Sequence, residues 1–240
     1  MGHYISFKSP PRRNPLALEW EYHMIEDRIE GIDFNHLAKV ILSKEKELIK
    51  TLPVCVNKDS MDGYTGLGPN SLTSRYDSYN VLNWEDPECE KLKDAILKMH
   101  NQFLKILRVD RPNRIFCQCW ANVLRKGEKM NPHLHGVDPD AYIGGHITVQ
   151  CEDTQTIYIN PPDQLNIKEE WKSTNIPGKI TLFQQCIPHY TTEHKGDKER
   201  ITLAFDLITD NHSWFFQDKP PLTANWVMLS EYPNFLVGTK

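Results

Sequence analysis

The sequence predicts a mainly β protein, an antiparallel sandwich or barrel with flanking helices. Three observations carry this. From Arg114 onward, short apolar segments follow one another as candidate strands. Turn signals separate them, among them Arg125-Lys-Gly127, Pro161-Pro162 and Ile176-Pro-Gly178. The two stretches with helical spacing both lie before residue 110.

Taken in chain order, Met1 to Pro15 reads as an irregular lead-in, with Pro10, Pro11 and Pro15 interrupting any regular element. A helix is expected from Phe34 to Ile49. Asp33 is its cap, and Leu37, Val40, Ile41 and Leu48 form its apolar stripe. Asp62 to Tyr76 holds three glycines, a proline and several hydroxyls and is expected as a loop, with Tyr79 to Leu82 extended beyond it. Arg75, Thr73 and Ser74 are candidates for lining a pocket there, against the alternative of a plain surface loop. A second helix opens at Asp86-Pro87-Glu88, a cap, then proline at the first helical position, then an acid. Its buried stripe is Leu92, Ile96, Met99, Phe103 and Leu107. Strands follow at Ile115–Leu124, Ala141–Glu152, Thr156–Asn160, Lys179–Gln185 and Arg200–Ile208. The tail aromatics Trp214, Phe215, Phe216 and Trp226 are expected to pack back onto the core. The expected organisation over residues 1–240 is one domain: helical and loop support over 1–113, a β core over 114–210, and an extension over 211–240.

Composition narrows the function classes. A net charge of −4, from 28 basic and 32 acidic side chains, provides no basic field for nucleic acid. No apolar run approaches the ~20 residues of a membrane span, and the N-terminus lacks a signal-peptide core. The expectation is a cytoplasmic protein with neither nucleic-acid nor membrane partners. Its six cysteines read as reduced, buried thiols. The one close pair, Cys117 and Cys119, needs two further ligands to hold zinc.

The chemistry concentrates in two segments. In Asn131-Pro-His-Leu-His-Gly136, His133 and His135 are one residue apart, so on extended backbone both imidazoles project the same way and can reach one metal ion. Alone, such a pair is weak evidence. Later, Gly178 to His189 reads as a glycine turn, an apolar strand and a histidine beyond Pro188. Eleven residues further, Arg200 opens another apolar strand. A buried arginine needs an anionic partner, and its planar fork matches a carboxylate. Thr202 shares its face and adds a hydroxyl.

These residues, in this order, resemble the 2-oxoglutarate/Fe(II)-dependent oxygenases, and among them the prolyl-hydroxylase-like branch of bacterial and phage-type sequences. The resemblance runs from Ile115 to Ile208. It rests on Trp120-Ala-Asn122, Gly127, Pro132-His-Leu-His135, Phe183 with Pro188-His189, and Arg200-Ile-Thr202. It implies a double-stranded β-helix, the jelly-roll core also found in cupins. It implies Fe(II) held by His133, His135 and His189, and 2-oxoglutarate gripped by Arg200 and Thr202. It further implies hydroxylation of a substrate by O2 with release of succinate and CO2. Asn122 is a candidate donor to 2-oxoglutarate or to a metal-bound carboxylate. Thr148 or Tyr158 stands in for the tyrosine that relatives place on the strand after the paired histidines. One departure matters: the usual triad is two histidines and a carboxylate, and here the carboxylate position falls on His135. Asp138, in a turn three residues on, is the alternative third ligand. His146 reads as a strand histidine and His194 as solvent-exposed.

Two other classes compete. A cupin-type metal dioxygenase would use the three histidines without 2-oxoglutarate, and a non-catalytic jelly-roll would bind no metal. Arg200 and Thr202 speak against the first, and the second predicts no 2-oxoglutarate turnover. The expected substrate is a peptidyl or small amino-acid-like molecule, with the Tyr64 to Tyr79 region, Arg75 and Tyr79 included, shaping its access.

Overall fold

The structure is a computed structural model that describes residues 2–55, 63–163, 169–213 and 225–231. Its elements run β1 (His3–Lys8), β2 (Glu21–Arg28), α1 (Phe34–Thr51), α2 (Pro87–Leu107), β3 (Arg114–Leu124), β4 (Ile143–Gln150), β5 (Gln155–Ile159), β6 (Glu170–Thr174), β7 (Lys179–Gln184), β8 (His189–Thr191), β9 (Arg200–Thr209) and β10 (Val227–Glu231). They form two antiparallel sheets. The larger has the order β1-β2-β7-β4-β9-β3-β10, and the smaller β6-β5-β8.

Both helices begin where their caps predict. The Asp33 carboxylate accepts from His36 N–H, and that of Asp86 from Glu88 N–H with Pro87 opening the helix. They cover the outer face of the large sheet. Leu37 and Ile41 of α1 and Leu92, Ile96 and Phe103 of α2 pack in one core with Ile147, Leu182, Leu203, Phe205 and Leu207. Cys117 and Cys119 lie in that same core, and burial holds both thiols far above their usual range. All six cysteines are free.

The inner face of the large sheet looks onto the small sheet. Tyr158 of β5 hydrogen-bonds His146 of β4 at 3.0 Å and packs on Phe183 of β7 at 5.4 Å between ring centroids. The segment before Gly136 runs antiparallel to β8 as a further edge. His133 and His189 exchange both backbone hydrogen bonds, at 3.0 and 2.8 Å, and Thr191 N–H donates to Met130.

Three expectations are corrected. The N-terminal region is not an irregular lead-in: β1 and β2 pair as a hairpin, and the proline cluster is only its connection. β2 then extends the sheet by pairing with β7. Tyr79 to Leu82 is not extended, because Val81–Asn83 closes as a 3-10 turn capped by the Asn80 side chain. His194 is not exposed. It is fully buried, with its Nε2 against the Lys198 carbonyl at 2.5 Å. Of the tail aromatics, Trp214, Phe215 and Phe216 lie outside the described residues. β10, just after Trp226, adds an edge strand to β3. No helix among the described residues is long and apolar enough to cross a membrane.

Candidate metal centre

A cavity of about 680 Å³ opens between the sheets. Its floor follows from the period of two along β9. Arg200, Thr202, Ala204 and Asp206 all line it, while Ile201, Leu203, Phe205 and Leu207 face the helices. The register places Thr202 opposite both Asn122 of β3 and Thr148 of β4, and Asp206 opposite Gly144.

His133, His135 and His189 converge in this cavity, with ligand atoms within 4.8 Å of one another. They form the single such group of histidine, cysteine and carboxylate side chains among the described residues. The outer nitrogen of each ring is engaged. His133 Nδ1 lies 2.8 Å from the Asn131 carbonyl and His189 Nδ1 lies 3.1 Å from that of Ile187. His135 Nδ1 lies 2.6 Å from Asp206 Oδ1. Nδ1–H donors to these acceptors leave the lone pair on Nε2, the tautomer that metal ligation requires. Burial, reinforced by the neighbouring His133 and His135, holds the His189 pKa well below its usual value, so the ring stays neutral. The donor set fits a divalent transition metal.

At the other end sits Arg200, 1% exposed. Its Nε and Nη2 make only long contacts, 3.3 and 3.4 Å, to the hydroxyls of Thr154 and Thr156. Its Nη1 has no hydrogen-bond partner, and no carboxylate among the described residues pairs with it. Burial pushes its pKa down to about 10. The Thr148 hydroxyl, opposite Thr202, likewise has no partner among the described residues. A buried guanidinium in this state is costly unless an anion completes it, so this end fits a ligand carboxylate.

The remaining predicted residues divide. Asn122 lines the cavity. Its Oδ1 accepts from Thr73 at 2.6 Å, which leaves the amide N–H groups as its donors there. Tyr158 is fully buried behind His146 and is not among the lining residues. Asp138 is exposed, lies outside the metal-competent group, and accepts from Asp140 N–H at 2.8 Å as part of a turn. Arg75 and Tyr79 do not reach the cavity. The Arg75 guanidinium donates to the carbonyls of Pro69, Ser71 and Ile49, clamping the loop to the end of α1. The Tyr79 hydroxyl is held by the Ala121 backbone, whose N–H donates to it at 2.8 Å. The 3-10 turn Thr73–Arg75 instead presents Thr73 to the cavity, with Tyr76 just beyond it.

Sequence reasoning missed Asp206 and Gln185, while Tyr64, Thr65, Thr73 and Tyr76 of the Tyr64–Tyr79 region line the cavity. Asp206 was within reach: counting in twos from Arg200 along Arg-Ile-Thr-Leu-Ala-Phe-Asp206 puts it on the ligand face. Thr65 was covered only by the broad Tyr64–Tyr79 region. It joins the site through one long-range bond, from Asn131 N–H to its carbonyl at 2.8 Å.

No protein-family model matches the sequence, and no curated protein matches it either. Solved structures do. A prolyl-4-hydroxylase from Pseudomonas putida is 13% identical, with 78% of this chain and 92% of that one covered and a TM-score of 0.51. A non-haem α-ketoglutarate-dependent carbocyclase of nogalamycin biosynthesis, SnoK, is 8% identical over 86% and 92%, at 0.53. A prolyl hydroxylase from Trichoplax adhaerens, solved with a peptide of the hypoxia-inducible factor, is 10% identical over 78% and 84%, at 0.50. The fold is the double-stranded β-helix of these oxygenases. In that double-stranded β-helix, the three histidines and Arg200 share one cavity between the two sheets.

Proposed function

We propose that this protein is an Fe(II)- and 2-oxoglutarate-dependent oxygenase. His133, His135 and His189 hold the metal, and Arg200 and Thr202 hold the distal carboxylate of 2-oxoglutarate. The carrying observation is the buried, partnerless edge of Arg200 opening on the same cavity as three convergent imidazoles. A cupin-type dioxygenase without 2-oxoglutarate accounts for the imidazoles but gives the guanidinium nothing to bind. A non-catalytic binding module leaves the three convergent imidazoles without a role.

When bound, iron supplies the coupling of O2 activation to the oxidative decarboxylation of 2-oxoglutarate, giving succinate, CO2 and a hydroxylated substrate. This chain's residues do the rest. The Nδ1 hydrogen bonds fix three imidazoles with Nε2 toward the metal. Arg200, with the hydroxyls of Thr156 and Thr202, orients the cosubstrate from its carboxylate end. The Asn122 amide adds donors beside Thr202. Trp120 and Phe183, with centroids 5.8 and 5.5 Å from that of His135, wall the centre from bulk water. Substrate enters over Tyr64, Thr65 and Leu134. The peptide bound by the Trichoplax enzyme supports a peptidyl or small amino-acid-like substrate by analogy of fold.

Anaerobic titration with Fe(II) and 2-oxoglutarate tests the assignment. A visible metal-to-ligand charge-transfer band that saturates only with both present is expected. Iron binding without that band favours the cupin-type reading, and no binding of either removes the proposal.

A further inference from the structure

We infer that Asp206 is the positioning residue of this metal centre: through its contact with His135 it orients that ligand and supplies the negative charge that a three-imidazole set lacks. The inference rests on the metal-centre reading above.

The usual triad places one carboxylate directly on the metal. Three neutral imidazoles leave a divalent ion with its full double charge in a partly buried cavity. Asp206 restores an anion one residue further out. Its Oδ1 lies 2.6 Å from His135 Nδ1 and also accepts from Gln185 Nε2 at 3.0 Å. Gln185 is anchored in turn, because its Oε1 accepts from Tyr142 N–H at 2.8 Å and its carbonyl accepts from His135 N–H at 3.0 Å. Backbone and side chain of His135 are therefore both referred to Gln185, one directly and one through Asp206.

The sheet makes room for this pair. Gly144 lies opposite Asp206 in the ladder. A Cβ there would stand 2.9 Å from His135 Nδ1 and 3.2 Å from Asp206 Oδ1. Only glycine leaves the imidazole and carboxylate their present contact. A carboxylate accepting from the far nitrogen of a ligating imidazole fixes its tautomer and raises its basicity, and removing such a partner weakens metal binding by roughly 10- to 100-fold.

The test is anaerobic Co(II) titration of the full chain, followed by its visible d–d absorption. It compares the wild type with Asp206→Asn, Asp206→Ala and His135→Ala. A second readout is 15N NMR of histidine-labelled metal-free protein, which reports the imidazole tautomer independently of activity. Asp206→Asn keeps shape and removes charge, and is expected to weaken Co(II) roughly tenfold. Asp206→Ala removes both, and is expected to approach 100-fold with loss of the fixed His135 tautomer. His135→Ala should lose more than either. Wild-type affinity and tautomer in both Asp206 variants would overturn the inference and leave the metal reading standing. Full affinity in His135→Ala with loss in Asp206→Asn would make Asp206 a direct ligand and overturn it too. A wild type that binds no Co(II) removes the metal reading and this inference together. Should Asp206→Ala fail to fold, the isosteric Asn variant decides.

Discussion

The two faces of β9 are built on opposite rules. Toward the helices it presents Ile201, Leu203, Phe205 and Leu207, each fully buried in the outer core. Toward the cavity it presents Arg200, Thr202, Ala204 and Asp206. The outer face is specified by volume: apolar side chains fill a close-packed layer, and any set of similar shape would serve. The inner face is specified by atoms: a guanidinium fork, a hydroxyl, a methyl and a carboxylate at successive steps of about 6–7 Å. One strand thus ties the core to the chemistry, and damage to the two faces should separate cleanly.

The largest effect is expected on the outer face. Phe205→Ala empties a ring site between the sheet and the helices and should cost about 3–5 kcal/mol in urea unfolding. Metal affinity of the fraction that stays folded should hold. Its collapse would mean that the two faces are coupled through the backbone. Next comes Arg200→Ala on the inner face. We expect 2-oxoglutarate to bind roughly 100-fold more weakly by calorimetry, about 2.7 kcal/mol, with Fe(II) affinity nearly unchanged. Equal loss of both ligands would break the assignment of separate ends to the cavity.

A smaller effect sharpens the contrast from the helix side. His100 of α2 is buried, 2.8 Å from the Tyr142 hydroxyl, and burial pushes its pKa down to about 4. A folded-state pKa below the unfolded value of about 6.5 means that the unfolded chain binds the proton first. The stability this residue contributes is complete above pH 6.5 and is lost as pH falls from there toward 4, by at most about 1.4 kcal/mol per pH unit. Metal-free protein unfolded in urea at a series of pH values should show this slope together with those of His146 and His189, which burial also depresses, and His100→Asn should remove its own share only.

What the sequence made legible follows the same division. Both helices announced themselves through local signals, a cap and an apolar stripe. Five strands, β3, β4, β5, β7 and β9, were marked by apolar runs between turns. The three histidines and Arg200 stood out because their residue types are costly to place on such strands without a purpose. What stayed hidden depended on distant partners. β1 and β2 are half-exposed and read as loop until β7 is beside them. β8 is three residues long and is defined by its neighbours rather than its own pattern. Arg75 looked like a pocket residue because nothing local shows that three carbonyls, one of them from α1, wait for it. Asp206 was hidden by its surroundings, a single acid in an apolar run, although its parity with Arg200 placed it on the ligand face.

Gly144 carries a consequence for how such a site can change over generations. With no side chain of its own, it lets position 135 and position 206 share one small volume. Their identities are therefore coupled. Replacing His135 with the carboxylate usual for related centres would set two anions over the same glycine and strip Asp206 of its imidazole donor. A carboxylate at position 135 would therefore call for a matching change at position 206. The room that both side chains share is the absence of a single methyl group on the neighbouring strand.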